Sequence, residues 1–472
     1  MNLDRYKIAG IVLTLFLFNM SNILNGQDKK TNVVFILADD LGWKDLSYQG
    51  SEVLETPNID KLAEEGMNFS QAYTVHPRCV PARYGLITGR YPARVQLPGG
   101  KWKWTGSEYT IAEAFQDNGY KTFFTGKWHL TRKDQNNPED EGFGINIAGG
   151  YPGAPQSYFY PYNTGRGKEK NILDLVEGGK EGEYLPDRLT DETIKFIKEN
   201  KDDPFFVYLS HYSVHTPFEA KKELVEYYKK KIDSYKFDGE EFVTEGTGYT
   251  KRWQNNAVYA AMIHSLDESV GRVMVELEKL GLDKNTIIVF TSDHGGLSNK
   301  GYNYRPLATS NLPLRAGKGH CYEGGVRVPL IVKWPNNIST KSKSDEIITG
   351  VDIHPTLIEA AGLKIKSYDC DGKSFLATLK GGEQDNENRP IFWHSPLSRP
   401  HSTGDINVSA VRIGDYKLLD FYDARRIELY NISEDIGETK NLAETEPEKT
   451  KELQQILNKW KKSVSAIKVK PK

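Results

Sequence analysis

Asn32-Val33-Val34-Phe35-Ile36-Leu37-Ala38 is an unbroken apolar run, rich in β-branched residues, that stops at two adjacent aspartates, Asp39 and Asp40. A strand that is apolar on both sides has no solvent face, so it belongs inside a parallel sheet covered above and below. Similar runs are Lys121 to Phe124, Pro204 to Leu209, Thr286 to Thr291 and Val326 to Val332. Helical patterns alternate with them: Thr56 to Glu65, Thr110 to Asn118, Leu189 to Glu199 and the long Trp253 to Leu280. This alternation predicts an α/β domain built on a mostly parallel central sheet flanked by helices.

After Val351-Asp352-Ile353-His354-Pro355 the pattern changes. Ile391 to His394, Val408 to Ile413, Tyr416 to Phe421 and Ile427 to Tyr430 read as short antiparallel strands, followed by the amphipathic, Lys-rich Pro447 to Val464. A chain of 472 residues exceeds one average domain. The expected division is a catalytic domain over 30–365 and a smaller C-terminal α+β subdomain with an antiparallel sheet over 366–472. Thr131 to Tyr184 and Ala220 to Lys251 are weakly periodic and read as long, functional loops.

Arg5 and Lys7, the apolar Ile8 to Met20 and the small, polar Ser21 to Gln27 have the layout of a signal peptide over 1–26. The apolar run is short for a membrane span. The mature chain is therefore expected to have no transmembrane span and to be periplasmic or secreted. A formal net charge of −2 gives no bulk-charge footprint for nucleic acid or an acidic membrane.

Ligands of open α/β sheets sit beyond the carboxyl ends of the strands, and the polar clusters of this chain fall there. Asp39-Asp40 follows the first run and Asp293-His294-Gly295-Gly296 follows another. Such acids serve as turn formers or caps; two pairs meeting at the sheet edge would also hold a hard divalent cation, and calcium prefers several oxygen ligands. Gly126-Lys127-Trp128-His129 and Val214-His215-Thr216-Pro217 each follow a strand, and Lys318 shortly precedes Glu323-Gly324-Gly325-Val326-Arg327-Val328-Pro329. Taken singly, each is equally an ordinary polar residue at a strand end. His211 is the competing histidine nearby; unlike His215 it has no proline two residues on, and it is read as structural or peripheral.

Only three cysteines occur, and Cys79 lies in His76-Pro77-Arg78-Cys79-Val80-Pro81-Ala82-Arg83, closed by Leu86-Ile87-Thr88-Gly89-Arg90. Pro81 can open a helix, which puts Cys79 at an N-terminus that favours negative charge and Arg83 one turn further on the same face. A packed or reactive thiol beside a helix cap has the same local pattern. Together with the ordered motifs above, this stretch closely resembles the C-x-P-x-R signature of type I sulfatases of the alkaline phosphatase superfamily, whose cysteine is oxidised to formylglycine. The resemblance runs from about Asn32 to about Leu442. Ala82 stands where many members carry serine, while the cysteine, proline and arginine needed for modification are in place.

The resemblance implies a sulfuric ester hydrolase with a formylglycine nucleophile at Cys79 and one calcium or other divalent ion held by Asp39, Asp40, Asp293, His294 and modified Cys79. His294 replaces the asparagine of many members, and an imidazole nitrogen is a softer ligand than an amide oxygen. By the same resemblance Arg83, Lys127 and Lys318 stabilise sulfuryl charge, His215 protonates the leaving alcohol and His129 accepts the proton that releases sulfate. It further implies a formylglycine-generating enzyme or anaerobic maturase as partner and, from the family's exported bacterial members, a sulfated polysaccharide or oligosaccharide as substrate. Trp102 and Trp104, in Lys101-Trp102-Lys103-Trp104, could stack on sugar rings or belong to a structural loop. The alternative functions are a phosphonate monoester hydrolase or phosphodiesterase of the same superfamily, and a sulfoglycan-binding protein without turnover. Cys321 and Cys370 remain for pairing in an oxidising compartment.

Overall fold

The computed structural model describes residues 29–97, 101–102, 106–130, 137–164, 175, 177–302, 306–365, 368–382, 388–422 and 426–469. The expected signal peptide, Lys103 and Trp104 lie outside these residues; Lys101–Trp102 pairs with Gln96–Leu97 as a two-stranded ribbon. Among the described residues no helix is long and apolar enough to cross a membrane.

An eight-stranded sheet organises the larger part of the chain. In chain order its strands are β1 (Asn32–Ala38), β2 (Met67–Phe69), β3 (Lys121–Gly126), β4 (Ile145–Ile147), β5 (Phe205–Ser210), β6 (Thr286–Ser292), β7 (Leu330–Lys333) and β8 (Ser342–Ser344). Their spatial order is β8-β2-β7-β6-β1-β5-β3-β4. From β6 to β4 all neighbours are parallel. β7 then runs antiparallel to both β6 and β2.

The sheet is covered on both faces, which is why β1 is apolar from Val33 to Ala38. Val34, Ile36 and Ala38 enter one core with α1 (Pro57–Glu65), and Val33, Phe35 and Leu37 enter the opposite core with α2 (Cys79–Thr88) and α3 (Ile111–Asp117). The first face is completed by α4 (Leu185–Glu199) and α6 (Ala257–Lys279), with α5 (Lys222–Ser234) against α6, and the second by α7 (Gly350–Ala360).

A second sheet is fully antiparallel, in the order β9 (Ile391–Ser395), β10 (Val408–Ile413), β11 (Tyr416–Phe421) and β12 (Arg426–Asn431). α8 (Pro447–Ser463) covers one face with Leu453, Leu457 and Trp460, the last stacked on Phe392 at 4.5 Å. The other face packs against Tyr73 and Val326 of the larger part.

Several expectations need correction. Val326 to Val332 is not one strand: Glu323–Val326 is a helical turn, and the strand that follows starts at Leu330 and is antiparallel to β6. Periodicity reports burial and not direction, so this reversal had no local signal. Ala220 to Lys251 is not a loop, because it contains α5 and the hairpin Phe242–Glu245/Gly248–Lys251. α4 starts at Leu185 and α6 at Ala257, where the Asn256 side chain accepts from Val258 and Tyr259 N–H. The three cysteines are all unpaired.

Candidate active site

Parallel pairing in register lines up the strand ends. Ala38 pairs with Ser292 and Leu37 with Ser210, which in turn pairs with Gly126. The next residues along β1, β6 and β3 are Asp39, Asp293 and Lys127, so three charged side chains arrive at the same carboxyl edge. Gly126 has φ 99°, and a Cβ there would lie 1.9 Å from the Ser210 carbonyl oxygen; glycine lets the chain turn over β5.

α2 faces this edge. It begins at Cys79, two residues earlier than a Pro81 start would give, with Pro81 in its first turn where a missing N–H costs nothing. Arg83 follows at i+4 and is 3% exposed. Its Nε donates to Asp293 Oδ2 at 3.1 Å, and one terminal nitrogen donates to the Lys127 carbonyl at 2.8 Å and Ser210 Oγ at 2.7 Å. One guanidinium thus ties together the ends of three strands. Ser210 had no motif to announce it, although a polar residue closing an apolar strand was a usable signal.

The remaining residues singled out in the sequence converge here. Lys127 Nζ lies 2.5 Å from Asp39 Oδ2, and Lys318 Nζ lies 2.5 and 2.7 Å from the two Asp40 oxygens. His294 Nε2 is 3.1 Å from Cys79 Sγ, 3.3 Å from Asp40 Oδ1 and 3.6 Å from Asp293 Oδ1. His215 Nε2 is 3.8 Å from Asp40 Oδ2, with Nδ1 held 2.8 Å from the Thr216 carbonyl. The His129 ring sits beside Cys79, close enough for the sulfur to oppose the effect of burial on its pKa, and its Nδ1 makes no hydrogen bond among the described residues. Cys79, His129, His215 and Lys318 line one cavity of about 200 Å3. His211 is apart from it, fully buried with Nε2 3.0 Å from Ser269 Oγ.

The electrostatics of residue 79 are unusual for a buried thiol. Burial opposes ionisation, but Lys127, Lys318 and His294 outweigh it and hold the Cys79 pKa well below 9.0. Asp39 is pushed the other way, well above 3.8, by burial and by Asp293, Cys79 and Asp40, against the pull of Lys127. His215 is held down to about 3 by burial and Lys318.

These residues fit a divalent cation. Single ligand atoms from Asp39, Cys79, Asp293 and His294 all lie within 4.8 Å of one another and all four side chains are buried. Asp39 Oδ1 is buried, accepts no hydrogen bond among the described residues and has the Arg83 guanidinium 3.5 Å away. Carboxylates crowded in this way are stabilised by positive charge beyond that of Arg83 and Lys127. His294 Nδ1 lies 3.1 Å from the Gly295 carbonyl, a contact that leaves Nε2 free as a ligand atom. Asp40 forms a second group with Cys79 and His215, has both oxygens beside Lys318 Nζ, and keeps Oδ1 within 3.3 Å of His294 Nε2.

Comparison with known proteins agrees with this geometry. The sulfatase family model matches residues 31–363, and the model of the C-terminal part of N-sulphoglucosamine sulphohydrolase matches 317–468. A sulfatase of Formosa agariphila is 30% identical over 515 aligned residues, covering 91% of this chain and 88% of that protein. An N-acetylgalactosamine-6-O-sulfatase of Bacteroides thetaiotaomicron is 28% identical, covering 93% and 94%. Among solved structures, Ps i-CgsB in complex with k-i-k-neocarrahexaose has a TM-score of 0.75 at 29% identity, covering 92% of this chain and 93% of that one. The chain belongs to the sulfatase family, the enzymes that hydrolyse sulfuric esters.

Proposed function

We propose that this sulfatase removes sulfate from sulfated carbohydrates, a polysaccharide or its oligosaccharides, using formylglycine made from Cys79 and a divalent cation. The observation that carries this reading is the convergence of Arg83, Lys127, Lys318 and two histidines on a buried residue 79 at a helix N-terminus. The carbohydrate assignment is supported by the names of relatives that act on N-acetylgalactosamine 6-sulfate and by the oligosaccharide bound to Ps i-CgsB.

Formylglycine at position 79 supplies a hydrated aldehyde as nucleophile, and the cation, for which calcium is the first candidate, supplies charge at Asp39, Asp40, Asp293, His294 and residue 79. Around them the protein's own groups divide the work. Lys127 and Lys318 neutralise charge on the sulfuryl oxygens, while Arg83 holds Asp293 and the Lys127 backbone in place. His215, fixed through Nδ1, presents Nε2 to donate a proton to the leaving oxygen. An anionic sulfate entering beside Lys318 opposes that lysine's influence and raises the His215 pKa toward a useful range. The His129 ring accepts a proton from residue 79 when sulfate departs.

Modification would be carried out by a formylglycine-generating enzyme or an anaerobic maturase, and export after removal of 1–26 would put the mature enzyme in the periplasm or outside the cell. We also infer a catalytic unit over 30–365 and a C-terminal subdomain over 366–472. The test is mass spectrometry of the peptide containing residue 79 from active enzyme, expected about 18 Da lighter than the thiol form, alongside turnover of aryl sulfate, aryl phosphodiester and aryl phosphonate. Full activity with an unmodified thiol would refute the nucleophile. Faster turnover of the phosphonate than of any sulfate would favour the phosphonate monoester hydrolase reading.

A further inference from the structure

Three buried side chains on the cavity wall carry polar atoms that make no hydrogen bond among the described residues. They are His76 at both ring nitrogens, Arg78 at Nε and Gln96 at Oε1, with 2, 7 and 4% exposure. All three line the cavity that holds Cys79, His129, His215 and Lys318, and none belongs to the sulfate-handling set. A buried polar group without a partner is destabilising, so three such residues along one cavity wall mark a stretch whose polar demand the protein itself leaves unmet.

The charge of this wall gives the class of ligand. No acidic side chain lines the cavity among the described residues. Arg78 is fixed from behind by Asp405 and by the Leu397 carbonyl at 2.7 Å. Arg399 stands exposed at the rim and has no carboxylate partner among the described residues. It is near enough to Arg78 and His76 for its charge to oppose protonation of both. Burial, Arg78 and other nearby positive charge keep the His76 ring neutral, with one donor and one acceptor to offer.

Resting on the sulfatase reading, we propose that Arg78 and Arg399, with His76 and Gln96 beside them, bind a second anionic group on the alcohol portion of the ester, a further sulfate or a uronate carboxylate. The scissile sulfate is met by Lys127 and Lys318 and Arg78 already answers Asp405, so the positive charge left for another anion is that of Arg399 at the rim. Leu397, Arg399 and Thr403 lie between β9 and β10, so the C-terminal sheet supplies the wall that selects the substrate.

The test compares kcat/KM across monosulfated hexoses and N-acetylhexosamines, the same sugars with a second O-sulfate, and sulfated disaccharides with an adjacent uronate. The best substrate of the unaltered enzyme carries a second anion, and added salt erodes the preference. The disulfated and uronate arms identify which anion is read. Arg399→Ala, on an exposed loop, shrinks the ratio between that substrate and its singly charged match by about tenfold or more; Arg399→Lys recovers part of it and Arg399→Glu reverses it. A best substrate with one sulfate and no other anion, or an equal effect of Arg399→Ala on every substrate, overturns the proposal and leaves sulfatase chemistry intact. Failure of the unaltered enzyme on every sulfate ester, 4-nitrophenyl sulfate included, would instead overturn the reading on which it rests.

Discussion

The two cavity histidines differ in what surrounds them. His215 is anchored through Nδ1 and faces the cavity through Nε2, whereas His129 lies against residue 79 itself. Removing the acid penalises poor leaving groups most, so His215→Ala should lose about 100-fold or more on sugar sulfates and much less on 4-nitrophenyl sulfate. His129→Ala should instead trap a sulfated enzyme with either substrate, seen as a gain of about 80 Da on the peptide containing residue 79. Identical leaving-group dependence for both variants, with no adduct, would contradict this division. The cation is tested separately from activity: Asp293→Ala should bind calcium at least about tenfold more weakly by direct titration. Retention of metal by that variant would remove Asp293 from the site. If zinc or manganese binds better than calcium, His294 as a nitrogen ligand is the reason.

At the scale of elements, the start of α1 depends on α6. Thr56 makes no side-chain cap; the orphan N–H groups of Asn58 and Ile59 are taken by Asp267 of α6 at 3.0 and 2.8 Å. Burial raises Asp267 from 3.8 to about 6, against the hydrogen bonds from Ile59 and Asn58. An acid whose folded pKa is raised binds its proton more tightly in the native state. Its contribution is therefore largest at low pH and is lost as pH climbs from about 4 to about 6. Asp267→Asn removes that dependence. Denaturant titrations should find the variant gaining up to about 3 kcal/mol on the parent protein between about pH 4 and pH 7. Parallel pH profiles for the two proteins would show that Asp267 does not titrate in this window.

At the scale of the molecule, a buried ion cluster joins the two sheets. Lys417 of β11 is fully buried and lies 2.8 Å from Glu323 and 2.9 Å from Glu438, and Arg327 also reaches Glu323 at 2.7 Å. Lys417→Met would leave Glu438 buried without a cation and should cost about 3–5 kcal/mol in equilibrium unfolding; a cost below about 1 kcal/mol would mean the acids simply protonate, as the Glu438 pKa of about 7 permits. The alternation of buried strands and helices, the antiparallel C-terminal sheet and the motifs around Asp39, Cys79, Lys127, His215, Asp293 and Lys318 were legible from the chain alone. Each is written in residues next to one another, where periodicity, proline and glycine act locally. Direction and partnership were not. Nothing in Leu330–Lys333 encodes its antiparallel pairing with β6, nothing in α6 announces Asp267 as a cap for α1, and nothing near residue 400 points to Arg78. Burial of apolar surface is non-directional, so sequence pattern determined which segments go inside. Strand order, register and the packing of the C-terminal sheet onto the larger part decided which side chains meet, because those contacts join residues up to more than 300 positions apart.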